Sequence, residues 1–286
     1  MYKDLRKKRV EIFEETKRLC QTDKRLAESI VIDSRQNQKV IREGMQIPVP
    51  VDRYSVPANV VVSQKRSLAA AKQYADQRVC VLNFASATNA GGGVTKGSNA
   101  QEEAICRCST LYLCISECSV VKQFYDKHRE DLKLGKINAL YNDDCIYTPK
   151  VIVFRDDTDM PMLLPKELWY KVDIISCAAP NLRDKPDNAM NPGSGSKGIS
   201  IKPVELLELH KKRMSRILDI AKSNGAEVVI LGAFGCGAFQ NPPDVVALAM
   251  KETVKNYLYS FDTIEYAIYC PPADTKNYDI FKRILS

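Results

Sequence analysis

Two glycine-rich segments give this chain places where backbone could meet a ligand. In the first, Gly91-Gly92-Gly93 is followed, seven residues on, by Gln101-Glu102-Glu103. Three consecutive glycines let the backbone take positive φ and lie against a bound group, with N–H groups facing an anion or a sugar oxygen. The helix that starts here reads as capped by Asn99, with Glu102 as the reciprocal partner of a capping box. Glu102 therefore has a structural role open to it. Glu103 does not: it is a second carboxylate in the first turn, aimed back at the glycine loop. In the second segment, Gly232-Ala233-Phe234-Gly235-Cys236-Gly237-Ala238-Phe239-Gln240-Asn241 follows an apolar run and precedes a helix. Successive glycine amides beside a helix N-terminus form a cradle for a diphosphate. Phe239 is placed to lie over a ribose or bracket a nucleotide. Phe234 reads equally as ligand contact or core aromatic, and Cys236 as a donor of backbone rather than of thiol chemistry. Cys106-x-Cys108 and Cys114-x3-Cys118 miss the common zinc spacings, and His128 and His210 are the only histidines, so neither metal nor cofactor is expected.

The elements around these segments alternate. Residues 3–20 carry apolar positions at helical spacing, Ser29 to Ile32 reads as a short strand, and prolines 48, 50 and 57 mark a loop. Asn59 to Val62 and Val79 to Phe84 read as strands, Ser67 to Asp76 as a helix, and Gln101 to Ile115 as one continuous helix. Further strands are expected at 151–154, 172–176, 227–231 and 263–270, and helices at 204–223, 244–260 and 277–285. Residues 184–200, rich in Gly, Pro and Ser, read as a mobile loop. Near-continuous apolar strands alternating with helices indicate an α/β sheet covered on both faces, with any ligand beyond the carboxyl ends of the strands.

Composition bounds the rest. In 286 residues, 45% are hydrophobic, enough for a sizeable core. No apolar run reaches the roughly 18 residues of a membrane helix. The charged start of the chain lacks a signal-peptide core, so a cytoplasmic location without membrane attachment is expected. Ten cysteines sit mostly in apolar segments, which suits free thiols better than a disulfide framework. A net charge of +7, scattered along the chain, does not make a specific DNA binder.

The spaced pair Gly91-Gly92-Gly93 and Gln101-Glu102-Glu103 resembles the signature of poly(ADP-ribose) glycohydrolases. Asn83-Phe84-Ala85-Ser86-Ala87 resembles their microbial branch, as do Ile146-Tyr147-Thr148-Pro149, Val153-Phe154-Arg155-Asp156 and Cys177-Ala178-Ala179-Pro180-Asn181. The second glycine segment is similar to the diphosphate loop of macrodomains. Ala90 departs from the proline usual in the microbial pattern, and the 184–200 loop is particular to this chain. The resemblance implies a macrodomain-like three-layer α/β/α sandwich with a mixed, largely parallel central sheet. Residues 1–57 would be an N-terminal helical extension packed on a catalytic core of residues 58–286, the two forming one unit.

The resemblance further implies hydrolysis of ribose–ribose O-glycosidic bonds in poly(ADP-ribose), releasing ADP-ribose. Adjacent carboxylates leave a helix about 100° apart, so Glu102 and Glu103 do not flank a bond as the usual glycosidase pair does. Glu103 would be the general acid and base, Glu102 would hold ribose hydroxyls, and the ligand's diphosphate would steady the developing cation. Ser86, Asn89, Gly91, Gly92, Gly93 and Gln101 on the first turn, with Gly235, Cys236, Gly237, Ala238, Phe239 and Asn241 on the second, would contact ADP-ribose or the polymer, free or attached to a modified protein. Two alternatives share both turns. One is a reader that binds ADP-ribose without cleaving it, which needs neither Glu102 nor Glu103. The other is a hydrolase that removes single ADP-ribose units from protein or nucleic acid. A nucleotide-binding dehydrogenase lacks support, because the glycine spacing is wrong.

Overall fold

The computed structural model describes residues 2–271 and 273–286; Met1, where the N-terminal extension begins, lies outside them. In chain order the elements are α1 (Tyr2–Thr22), α2 (Lys24–Ser29), β1 (Lys39–Ile41), β2 (Asn59–Ser63), α3 (Ser67–Ala71), β3 (Val79–Phe84), α4 (Gln101–Cys108) and α5 (Leu111–Ile115). They continue with α6 (Cys118–Val120), α7 (Lys127–Lys133), β4 (Cys145–Val153), β5 (Tyr170–Cys177), α8 (Pro203–Ser223), β6 (Val228–Leu231), α9 (Pro243–Val254), β7 (Thr263–Ala267) and α10 (Lys276–Leu285). The strands form one sheet in the order β1-β4-β5-β3-β6-β7-β2. From β5 to β2 every pairing is parallel, while β4 runs antiparallel to β5 and to β1.

The apolar run of β3 is explained by its two covered faces. Cys80 and Leu82 point into a core with Met214, Ile217 and Leu218 of α8 and Val246 and Met250 of α9. Val79 and Val81 point the other way, against Leu68 of α3, Ile105 of α4 and Leu111 of α5. Side chains alternate along a strand, so apolar residues at every position are needed when both faces are buried. Each such aliphatic side chain, fully buried, contributes about 1.5–3 kcal/mol. The result is a three-layer α/β/α sandwich with a mixed, largely parallel sheet.

Helix α1 lies outside the α4–α5 layer and is tied to it. Phe13 is fully buried, edge-on to Tyr112 at 4.8 Å between ring centroids. The Thr16 hydroxyl donates to the Arg107 carbonyl (2.7 Å), and buried Arg155 donates to Thr16 Oγ1 (2.9 Å) and Glu15 Oε2 (2.7 Å). Strand β1, from the same N-terminal stretch, is the edge strand on β4.

Three local expectations change. Ser29 to Ile32 is not a strand: α2 runs into a π-helical turn, Ile30–Ser34, with Ile30 buried and Val31 and Ile32 exposed. β-branched residues favour strands, but this run is too short to set a period, and burial of Leu26 and Ile30 four residues apart decides for helix. The helix expected over 101–115 breaks after Cys108, where Ser109 turns extended and bridges Val153, so Cys106 and Cys114 sit on different helices. The 184–200 segment folds down onto the end of β3, as described below. Among the described residues no helix is long and apolar enough to cross a membrane.

Candidate active site

Strands β3 and β6 are parallel neighbours, with Val79, Cys80 and Val81 opposite Val228, Val229 and Ile230. The two glycine turns therefore open at the same edge of the sheet, beyond adjacent carboxyl ends, where α/β sheets hold ligands. In the first turn Gly92 has φ +57°, and a Cβ there would stand 2.6 Å from Glu103 Oε1 and 3.0 Å from Glu102 Oε2. The turn wraps over the start of α4, so two carboxylates that leave the helix on different bearings converge on one backbone point. Only glycine leaves room for both.

The capping box does not form. Ala100 occupies the N-cap of α4 and no side chain caps it. Asn99 is engaged elsewhere: its Oδ1 accepts from Arg107 Nη2 (2.6 Å) and its Nδ2 donates to Asp159 (2.9 Å). Released from capping, Glu102 turns to the end of β3. Its Oε2 accepts the Ser86 N–H (2.8 Å), and Oε1 lies 3.5 Å from Asn83 Nδ2. Burial, then the charge of Glu103, pushes Glu102 well above the usual carboxylate range. Glu103 Oε1 accepts the Gly93 N–H (2.8 Å), while Oε2 is buried with no hydrogen-bond partner among the described residues.

The surroundings hold this geometry. Gln101 spends its amide on bracing, accepting from the Phe84 N–H (2.8 Å) and donating to the Leu82 carbonyl (2.7 Å) and Ser67 Oγ (3.0 Å). Asn89 Nδ2 donates to the Gly92 carbonyl, and the Asn89 N–H to Ser86 Oγ (3.1 Å). Arg107, one turn beyond Glu103 and fully buried, donates to the Ser98 carbonyl (2.5 Å), and Arg9 of α1 donates to the Gly97 carbonyl (2.9 Å). The loop between the glycines and α4 is thus fastened from below and from outside.

In the second turn the core reading of Phe234 holds: it is fully buried, 5.7 Å from the Phe84 ring and 6.0 Å from His210. Asn241 sits behind the turn and shapes it. Its Nδ2 donates to the carbonyls of Pro180 (2.7 Å) and Gly235 (3.1 Å), and its Oδ1 faces His210 Nε2 at 2.9 Å. Burial lowers the His210 pKa to about 4, so the imidazole is neutral and Nε2–H is the donor. The N–H groups of Gly235, Gly237, Ala238 and Phe239 have no acceptor among the described residues. The helix that follows adds little to this row. Pro242 is its N-cap, Pro243 its first residue and Asp244 stands in its first turn, so amides are missing and a negative charge occupies the positive end of the dipole. The cradle is the turn itself, not the helix start.

Ser86, Gly92, Gln101, Glu102, Glu103, Gly235, Gly237, Ala238 and Phe239 line one cavity. Of the other residues named from the sequence, Asn89, Gly91 and Gly93 complete the first turn, and Cys236 and Asn241 stand behind the second, outside the lining. The Cys236 thiol, pushed up by burial, is no nucleophile. Seven residues of the lining were not among the contacts named from the sequence: Phe84, Ala100 and Ala233 beside the two turns, and Arg183, Asn188, Met190 and Asn191, which form a wall of their own. Asn191 anchors this wall, its Oδ1 accepting from Ser86 Oγ and its carbonyl from Ser194 Oγ (2.8 Å). The density of Asn and Ser after Pro180-Asn181 was the available signal. A second lobe, sharing Phe84, Gln101, Ala233 and Gly237 with the first, is walled by Arg66, Ser67, Asp157 and Tyr269.

Fold and site place the molecule among glycosidases built on an α/β/α sandwich. The chain belongs to the family described as microbial-type PARG, catalytic domain, whose model matches residues 2–156. Solved structures agree over nearly the whole chain. The poly(ADP-ribose) glycohydrolase of Thermomonospora curvata bound to the inhibitor ADP-HPD is 27% identical, covering 96% of this chain and 98% of its own, with a TM-score of 0.76. That of Deinococcus radiodurans in complex with ADP-ribose is 28% identical, covering 88% and 95%, with a TM-score of 0.70. No curated protein sequence matches the chain. It is a poly(ADP-ribose) glycohydrolase by family and fold.

Proposed function

We propose that this chain hydrolyses the ribose–ribose O-glycosidic bonds of poly(ADP-ribose) and releases ADP-ribose, with Glu103 as its acid–base residue. The observation that carries the reading is the free, buried Oε2 of Glu103, held beside Gly92 and Gly93 by the bond from the Gly93 N–H to Oε1. A ribose over Gly92 meets that oxygen first. Glu103, protonated, gives its proton to the leaving ribose oxygen as the glycosidic bond breaks. The carboxylate left behind then takes a proton from the water that attacks the anomeric carbon. Glu102, whose Oε1 has only a long contact to Asn83, accepts from a ribose hydroxyl.

The diphosphate lies along the free amides of Gly235, Gly237, Ala238 and Phe239. The adenosine end occupies the second lobe, where the half-exposed Tyr269 ring and the buried Asp157 Oδ1, which has no hydrogen bond and only a 4.0 Å ion pair to Arg66, suit a flat base with an exocyclic amine. The N-terminal 57 residues act with the core as one unit, supported by the β1–β4 pairing and the bonds from α1. We place the protein in the cytoplasm, in keeping with its ten free thiols.

The test is Glu103→Gln, which keeps shape but removes the transferable proton. Polymer hydrolysis should fall by about 10³–10⁴-fold while affinity for ADP-ribose stays within about threefold of wild type. Wild-type turnover in this variant overturns the mechanism.

A further inference from the structure

The walls of the ligand cavity pose an electrostatic problem. A diphosphate carries two negative charges, and the two acidic residues that share its cavity, Glu102 and Glu103, give it no counter-charge. The helix after the diphosphate turn brings two prolines and Asp244, which weaken the usual help from a helix start. Four turn amides offer hydrogen bonds but no net charge. Of the basic side chains lining the two lobes, Arg66 is engaged with Asp157 and Asp159 and lies over the Tyr269 ring at 4.0 Å. That leaves Arg183. It lines the lobe that contains Glu103, and its guanidinium has neither a hydrogen-bond acceptor nor an ion-pair partner among the described residues. Its backbone is fixed relative to the diphosphate turn, because the neighbouring Leu182 N–H donates to the Phe239 carbonyl (3.0 Å). The Arg183 N–H also meets Asn181 Oδ1, and Asn181 is itself fully buried.

We propose that Arg183 is the cation that neutralises the diphosphate of the ADP-ribose unit held by the Gly235–Phe239 turn, and so sets affinity for a diphosphate over an uncharged nucleoside. The assignment rests on the glycohydrolase reading above. A guanidinium suits the task, because its planar fork meets two phosphate oxygens at once and it stays charged.

The experiment uses the full chain and two ligands, ADP-ribose and adenosine, with wild type, Arg183→Gln and Arg183→Lys. Arg183→Gln should weaken ADP-ribose binding by about 10- to 100-fold, the scale of a charge-assisted contact. Adenosine affinity and melting temperature should stay unchanged. Arg183→Lys should recover part of the loss, and the salt dependence of ADP-ribose binding should be shallower in the Gln variant. On polymer, KM should rise more than kcat falls. Unchanged ADP-ribose affinity in a folded Arg183→Gln protein overturns the assignment. If KM for the polymer rises while ADP-ribose affinity is unchanged, Arg183 serves the diphosphate of the neighbouring unit and the assignment to the bound one is likewise wrong. Failure of the wild-type chain to bind ADP-ribose would defeat the glycohydrolase reading instead, which separates the two.

Discussion

Gly92→Ala tests whether the convergence of the two carboxylates on one backbone point is what the site depends on. Two effects add. At φ +57° an L side chain pays the left-handed strain of about 1–2 kcal/mol. The new Cβ also stands 2.6 Å from Glu103 Oε1, about 0.8 Å inside the 3.4 Å at which ordinary contact begins. Glu103 is tethered by the Gly93 N–H and closely packed, so its carboxylate shifts by most of that amount. Misplacing a reacting group by about 1 Å costs roughly 10²-fold. The expected result is a melting temperature lowered by about 2–4 °C and turnover lowered about 100-fold. Gly44→Ala separates the two effects: φ is +82° there, but nothing lies within 4 Å of the added methyl. It should show a comparable thermal loss with turnover intact. Polymer hydrolysis and thermal melts on both variants are the assay. Normal turnover in Gly92→Ala, or equal loss in Gly44→Ala, would refute the reasoning.

Two further outcomes follow from the same geometry. Gly237 has ordinary φ and open space around a would-be Cβ, so Gly237→Val should fold normally yet fill the cavity; calorimetry should show ADP-ribose binding weakened by about tenfold or more. Glu102 is protonated more readily in the folded chain than at its ordinary value of 4.5, so the folded state holds a proton that the unfolded chain releases above that pH. Wild-type stability should therefore fall as pH rises from 4.5 through the raised folded value, and Glu102→Gln, which still accepts the Ser86 N–H, should remove that fall; parallel melts across the pH range check it.

Much of this was legible in the residues, for reasons that also explain what was not. Strands β3, β5, β6 and β7 announce themselves because burial on both faces demands unbroken apolar runs. Gly91-Gly92-Gly93 and Gln101-Glu102-Glu103 are legible because rare residue types recur at a fixed spacing. The role of Asn99 was not, since whether it caps α4 depends on Arg107 and Asp159, which compete for its side chain. The break between α4 and α5 depends on Ser109 meeting Val153, a partner 44 positions away. The wall formed by Arg183, Asn188, Met190 and Asn191 could not be placed at the site for the same reason: Asn191 reaches it through Ser86, more than 100 residues earlier.

The strand order also governs how the protein comes into being. As the chain leaves the ribosome, β2 is among the first strands made, yet its one partner is β7, roughly 200 residues later. β3, the central strand, likewise waits for β5 and β6 on its two sides. Until those partners emerge, these apolar strands have open hydrogen-bonding edges and no sheet to join, the condition in which unpaired strands associate with one another. A nascent or C-terminally truncated chain stopping before Thr263 would leave β2 unmatched. Soluble yield should thus depend on making the stretch from Thr263 through β7, far from the first glycine turn in sequence.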